Sequence, residues 1–248
     1  MTEYHARLVV GADGKTSGAR RWLQAETVTD PEHHRFGGLL LSGVHWDDTT
    51  PEDAVGWFLN GPDSCRVYIR LTAELVHETG VGHSTDAFIA FAAKAVPERT
   101  FDGAHPVGPL GFFPNSCTWA SHLTRGPMIL VGDAAGALDP TQGLGTSLLF
   151  RDVRLLSELL LTDQEWERAT AEFARQRDAY YDVLRAYDRW LALIDAEEGP
   201  EGARRRESAP VAREADPALG GFATLEACGP DGLIADEAAR RVFGEPAA

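Results

Sequence analysis

A carboxylate placed at the end of a buried strand, followed by small residues and then a helix, can hold a flat, hydroxyl-bearing ligand. The segment Ile129-Leu130-Val131-Gly132-Asp133-Ala134-Ala135 has this form. Its strand delivers Asp133 to the carboxyl edge of a sheet, where open α/β folds bind ligands. There the carboxylate accepts hydrogen bonds from hydroxyl groups, and Gly132 and Ala134 keep the backbone approachable. Pro140 stiffens the next loop, Gly143 and Gly145 free it to turn around Leu144, and a helix is expected from about Thr146. The free N–H groups and positive dipole end of such a helix favour negative charge developing on the ligand.

A second strand–turn segment opens the chain: Leu8-Val9-Val10-Gly11-Ala12-Asp13-Gly14, then Lys15-Thr16-Ser17-Gly18-Ala19-Arg20. The apolar run predicts a buried strand over 6–10, Asp13-Gly14 a tight turn and 17–23 a short helix.

Between the segments the pattern is that of antiparallel sheet. Strands are predicted over 36–46, 54–59 and 65–71, the last two joined by Asn60-Gly61-Pro62-Asp63. A helix over 84–96 is capped by Ser84, shows Phe88, Phe91, Ala92 and Ala95 on one face and stops before Pro97. The strand carrying Asp133 spans 128–131. A long helix starts near Asp163, with Thr162 and Glu165 as a capping box. Its buried face reads Trp166, Ala169, Phe173, Tyr180, Leu184, Tyr187, Leu191 and Ile194. Beyond Asp195 the composition turns to Gly, Pro, Glu and Arg, so 196–248 is expected to be an irregular tail ending in a short helix.

Composition narrows the function. The 248 residues carry 23 basic and 38 acidic side chains, a net charge of −15. Such a chain repels phosphate backbones and anionic lipid surfaces, which argues against nucleic-acid and membrane partners. No apolar run is long enough to span a bilayer, and Met1-Thr2-Glu3-Tyr4-His5 lacks the layout of a signal peptide. Cys65, Cys117 and Cys228 form no CxxC pair and suit reduced thiols in a cytosol, so a cytoplasmic location is expected. No metal site is expected. His77, Glu78 and His83 miss zinc-protease spacing, and His33-His34 reads as a solvated pair. Gly14-Lys15-Thr16 is no phosphate-binding loop, because Val9 stands where that loop needs glycine. Arg204-Arg205-Arg206 reads as a solvated patch. Trp46, Phe112, Phe113 and Trp119 read equally as substrate-pocket or core aromatics.

The pair of segments resembles the flavoprotein monooxygenases of the para-hydroxybenzoate hydroxylase type. Asp13, Gly14, Ser17 and Arg20 match that family's Asp-Gly-x-x-Ser-x-x-Arg segment. Gly132, Asp133, Ala134, Ala135, Pro140, Gly143 and Gly145 match its Gly-Asp-Ala-Ala-His and Pro-x-x-Gly-x-Gly-x-Asn segment. Gly108-Pro109-Leu110-Gly111-Phe112-Phe113-Pro114, Tyr180-Tyr181 and Trp190 look family-like as well. The resemblance implies an α/β fold: part of a Rossmann-type FAD-binding domain, an antiparallel substrate sheet and long C-terminal helices. The domain boundaries follow as 1–27, 28–124, 125–195 and a tail over 196–248. It implies FAD as cofactor, NAD(P)H as reductant and hydroxylation of an aromatic or hydrophobic small molecule. Asp133 would hold the ribityl chain, Pro140 through Gly145, with Leu144, would line the ring, and Gly132 and Ala134 would also bind the cofactor. Asp13, Gly14 and Arg20 would lie near the pyrophosphate and the reductant. No acid–base residue is assigned.

Gly136 stands where the family commonly has His, and Ser147 where it has Asn. The family's opening strand–Gly-x-Gly-x-x-Gly–helix segment has no counterpart in these residues. The expectation is therefore an N-terminally truncated form that holds FAD weakly and tends to self-associate. The alternatives are another flavoenzyme on this fold, a reductase or a halogenase, or a non-catalytic remnant. A halogenase needs a reactive lysine, and neither Lys15 nor Lys94 has an evident place for it.

Overall fold

The computed structural model describes residues 5–45, 56–59, 61, 63–163, 165–197, 199–216 and 243. Trp46, Ala54, Asn60, Pro62, Cys228 and the expected final short helix lie outside them. The elements in chain order are β1 (Val9–Gly11), α1 (Gly18–Leu23), β2 (Thr27–Thr29), β3 (Arg35–Ser42), β4 (Gly56–Leu59), β5 (Ser64–Leu71), α2 (Ala73–Thr79), α3 (Thr85–Ala92), β6 (His105–Pro106), β7 (Gly111–Pro114) and β8 (Thr118–Ala120). They continue with β9 (Thr124–Arg125), β10 (Met128–Leu130), β11 (Gly136–Ala137), α4 (Gly145–Thr162), α5 (Trp166–Ala196) and α6 (Gly199–Ala215). The fold is mixed α/β, with antiparallel sheet and long helices as expected. Two compact units divide the chain: residues 32–115, and residues 1–31 together with 116–248.

The 32–115 unit is an antiparallel sheet in the order β4-β5-β3-β6, with β7 also on β3. Along β5, Cys65, Val67 and Ile69 are buried while the residues between them are half-buried, the period-two pattern of a strand with one face on the core. A Cβ at Gly37 would collide with the Phe112 ring, and one at Gly38 with Tyr68, so these glycines let two aromatic rings lie flat on β3. Phe112 thus packs against the core, while Phe113 is 39% exposed. Ser84 caps α3 as expected, its hydroxyl accepting from the Ala87 N–H. The helix α2 is an addition to the sequence reading. Thr72 caps it through the Leu75 N–H at 3.3 Å, and Gly80 at φ +68° ends it. His34 is buried against His33, with Nδ1 atoms 3.1 Å apart, which corrects the expectation of a solvated pair.

The larger unit holds two small sheets, β1-β10-β9 and β11-β8-β2. Helices α4 and α5 pack against each other over Leu148, Leu156, Phe173, Tyr180 and Leu184. The capping box expected of Thr162 and Glu165 does not form. The Thr162 hydroxyl instead donates to the Glu158 carbonyl at 2.8 Å and closes α4, while Asp163 accepts the Glu165 N–H at 2.9 Å. Residues 199–215 are helix α6 rather than irregular tail. Arg204 and Arg206 are exposed, in keeping with the expected solvated patch; Arg204 pairs with Glu201 at 2.5 Å and Arg205 with Glu201 at helical spacing, while Arg205 also pairs with Glu197 ahead of the helix. Among the described residues no helix is long and apolar enough to cross a membrane, and no cluster of potential metal ligands occurs.

Candidate functional site

The parallel register of β1 and β10 brings the two sequence motifs side by side. Val9, Val10 and Gly11 pair with Met128, Ile129 and Leu130. The Val131 N–H then donates to the Gly11 carbonyl at 3.0 Å. Both strands therefore end at one edge, and the Asp13-Gly14 turn lies next to the Gly132-Asp133 turn. A Cβ on Gly11 would overlap Ala19, which explains why glycine stands where α1 crosses β1.

A crevice of about 290 Å³ opens at this edge, lined by Ala12, Gly14, Val131, Gly132, Asp133, Gly145, Thr146 and Leu149. Gly14 sits at φ +80° with nothing within 4 Å of where a Cβ would be. Asp133 is exposed, and among the described residues its carboxylate accepts no hydrogen bond. Gly145 begins α4, and Leu144 before it provides no side-chain cap. The first N–H groups of an 18-residue helix are therefore open to a ligand beside a free carboxylate. The adjacent loop is braced from within. Asp139 accepts the Thr141 N–H at 2.8 Å, Pro140–Gln142 forms one 3-10 turn, and Gly143 turns back at φ +66° to donate to the Pro140 carbonyl at 3.0 Å.

Gly14, Gly132, Asp133 and Gly145 thus line the crevice. Asp13, Arg20, Ala134, Pro140, Gly143 and Leu144 are not among its lining residues. Asp13 accepts the Ser17 hydroxyl at 2.5 Å and the Gly18 and Ala19 N–H groups at 2.6 and 2.9 Å. The Ser17 hydroxyl and those amides hold its pKa down to about 2. Arg20 is buried, and its guanidinium is used entirely on the protein. It donates to the Ala134 carbonyl at 3.0 and 2.9 Å, the Asp133 carbonyl at 3.0 Å and the Thr27 hydroxyl at 2.8 Å. Ala134 is fully buried.

Sequence reasoning missed two residues beneath the crevice. Asp152 on α4 and Arg177 on α5 are both fully buried and 3.4 Å apart. Asp152 accepts the Gly132 N–H at 2.7 Å and the Tyr180 hydroxyl. Arg177 donates to the Gly136 carbonyl at 3.1 Å and the Gly132 carbonyl at 3.5 Å. Their trace in the sequence is a charge inside an apolar face. Asp152 lies four residues from both Leu148 and Leu156, and Arg177 fills the gap between Phe173 and Tyr180. Further along α5, Asp188 accepts the Cys117 thiol at 3.3 Å and the Asp139 N–H at 3.2 Å. Burial and the neighbouring Asp139 push it up to about 7. Burial likewise raises the Cys117 thiol and the Tyr180, Tyr181 and Tyr187 phenols, which stay protonated. Trp119 lies under the Arg185 guanidinium at 3.6 Å, and Arg185 pairs with Asp30 at 2.6 Å.

Residues 1–169 match the family described as FAD binding domain. The chain belongs to that family. Both motif turns lie within the matched residues. Among relatives of this FAD-binding-domain chain, kynurenine 3-monooxygenase of Cytophaga hutchinsonii is 27% identical over 203 residues, 71% of this chain and 44% of the relative. The 2-heptyl-3-hydroxy-4(1H)-quinolone synthase of Pseudomonas aeruginosa is 24% identical over 246 residues, 83% of this chain and 60% of the relative. The chain thus spans about half the length of the curated relatives it matches. Among solved structures, a triple mutant of the flavin-dependent brominase Bmp2 superposes with a TM-score of 0.70 at 14% identity, over 98% of this chain and 62% of the other. The anhydrotetracycline hydroxylase OxyS of Streptomyces rimosus gives 0.57 at 17% identity, over 97% and 47%. These likenesses are of fold.

Proposed function

We propose that this chain carries the flavin-facing part of an FAD- and NAD(P)H-dependent monooxygenase that hydroxylates an aromatic or hydrophobic small molecule. One observation carries the reading: the free Asp133 carboxylate stands in an open crevice beside the uncapped start of α4. The residues fit FAD. Asp133 is an unpaired acceptor for ribityl hydroxyls, and Gly14, Gly132 and Gly145 leave room for the cofactor to approach. The N–H groups at the start of α4 suit a ring edge that gains negative charge. FAD, when bound and reduced by NAD(P)H, supplies the activation of oxygen that hydroxylation needs. The chain's own residues orient and hold. Asp13 ties the turn after β1 to α1, Arg20 secures the backbone behind Asp133, and the Pro140–Gln142 turn shapes the loop into α4. Kynurenine 3-monooxygenase among the relatives supports an aromatic substrate and the monooxygenase class. The buried reduced thiols Cys65 and Cys117 fit a cytoplasmic location. The exposed Val9 and Val10 on β1 fit self-association.

The test is FAD titration of the protein expressed from its natural reading frame, followed by flavin fluorescence, with Asp133→Ala alongside. Loss of the carboxylate's hydrogen bonds to the bound cofactor should weaken FAD by about ten- to hundredfold. NAD(P)H oxidation should put one atom of labelled oxygen into product. Equal FAD affinity in Asp133→Ala would remove the assignment.

A further inference from the structure

We infer that Arg177 and Asp152 are positioning residues that aim the Asp133 carboxylate, an inference that rests on the crevice being the FAD site. Gly132 immediately precedes Asp133 and is held at both of its polar atoms: Asp152 takes its N–H at 2.7 Å, and Arg177 reaches its carbonyl at 3.5 Å. Gly132 sits at φ +57°, and a Cβ there would lie 2.9 Å from Leu149, so the turn has one tolerated residue and one tolerated path. Arg177 also holds the Gly136 carbonyl, and Arg20 holds the Asp133 and Ala134 carbonyls between. Two buried guanidinium groups thus clamp the turn on which the carboxylate stands, and neither touches the carboxylate itself.

A merely structural account of the pair is weak on physical grounds. Both side chains are fully buried on faces where leucine or methionine would pack, and a buried ion pair is commonly no more stabilising than apolar residues of similar volume. Every hydrogen bond of the two side chains ends on the 132–136 turn, on each other or on Tyr180. The Arg177 NH1 has no partner and lies 3.1 Å from the place a Gly136 side chain would take. The guanidinium is oriented for the turn at the expense of its own satisfaction.

The experiment replaces the pair together, Asp152→Leu with Arg177→Met, and reads FAD affinity by fluorescence, flavin circular dichroism and thermal stability. The expected result is a folded protein whose FAD affinity falls about tenfold or more. In an Asp133→Ala background the same pair should add less than about twofold, because the clamp acts through Asp133. Unchanged affinity in the folded double variant, or full additivity with Asp133→Ala, overturns the positioning role while leaving the site reading intact. Normal FAD binding by Asp133→Ala alone removes the site reading and the clamp with it. If the pair replacement does not fold, Tyr180→Phe and Asp152→Asn take its place. Each should retain native circular dichroism with a measurably altered flavin signal that Asp133→Ala abolishes, and an unaltered signal overturns the role.

Discussion

Arg20 meets Asp133 through the main chain: its guanidinium donates to the Asp133 carbonyl at 3.0 Å and leaves the carboxylate free. An arginine that sequence resemblance places near a pyrophosphate is therefore used up as a brace between the two motif turns. Among the described residues no carboxylate pairs with it; burial lowers its pKa and the nearby charge of Asp13 offsets part of that.

Removing the brace should cost stability first and cofactor second. Arg20→Ala strands buried carbonyls of Asp133 and Ala134, and about 2–4 kcal/mol of unfolding free energy should be lost. Urea denaturation of the cofactor-free protein measures this. An unchanged midpoint would show that Arg20 is free to serve a ligand instead.

The glycines of the loop into α4 should separate space from backbone strain. At Gly145 the nearest atom to an added Cβ is Asp133 Oδ1 at 3.9 Å, and φ is ordinary. Gly145→Val should fold normally yet block the crevice, with flavin quenching lost. Gly143 is at φ +66° with open space around it, so Gly143→Ala should cost about 1 kcal/mol through strain alone. Thermal unfolding and FAD titration of both variants check the contrast.

Asp188 should contribute a stability that falls as pH rises. Its carboxyl rises from 3.8 to about 7 through burial, with Asp139 and Asp30 adding like charge around it and Cys117 donating to it. The folded state holds this proton more tightly than the unfolded chain. Between about pH 4 and pH 7 stability therefore falls as pH rises, and it levels off above. From about pH 5 to pH 8 the loss is on the order of 2–3 kcal/mol. Asp188→Asn, which keeps an acceptor for the Asp139 N–H, should flatten this slope in urea titrations at several pH values. A wild-type slope in that variant would assign the proton elsewhere.

The β1 edge should govern self-association. β1 pairs with β10 on one side, and Val9 and Val10 are 38% and 46% exposed. Val10→Lys should shift the sedimentation profile toward monomer by placing a charge on an open edge. An unchanged profile would place association on another surface.

Much of the fold was legible because its periods are local. The alternation in β5, the Ser84 cap of α3 and the spacing along α5 each depend on residues a few positions apart. Helices α2 and α6 were not legible. Thr72 and Gly80 bound about two turns that composition does not mark, and α6 is held by charge pairs that read as a polar tail.

The sequence by itself determined the two motif turns, because a strand, a carboxylate and a glycine-rich entry to a helix are each written in consecutive residues, but the strand expected to be buried over 6–10 is Val9–Gly11, with Val9 and Val10 exposed on the edge of its sheet. It could not decide what each motif residue touches. Asp13 and Arg20 have the right types and spacing for a ligand, yet hydrogen bonds to α1 and to residues 133–134 occupy them. Nor could it pair Asp152 with Arg177, which stand 25 positions apart on different helices. Those choices belong to the packing of α4 on α5 and of β1 beside β10, since a buried charge takes whatever partner the tertiary fold brings within reach.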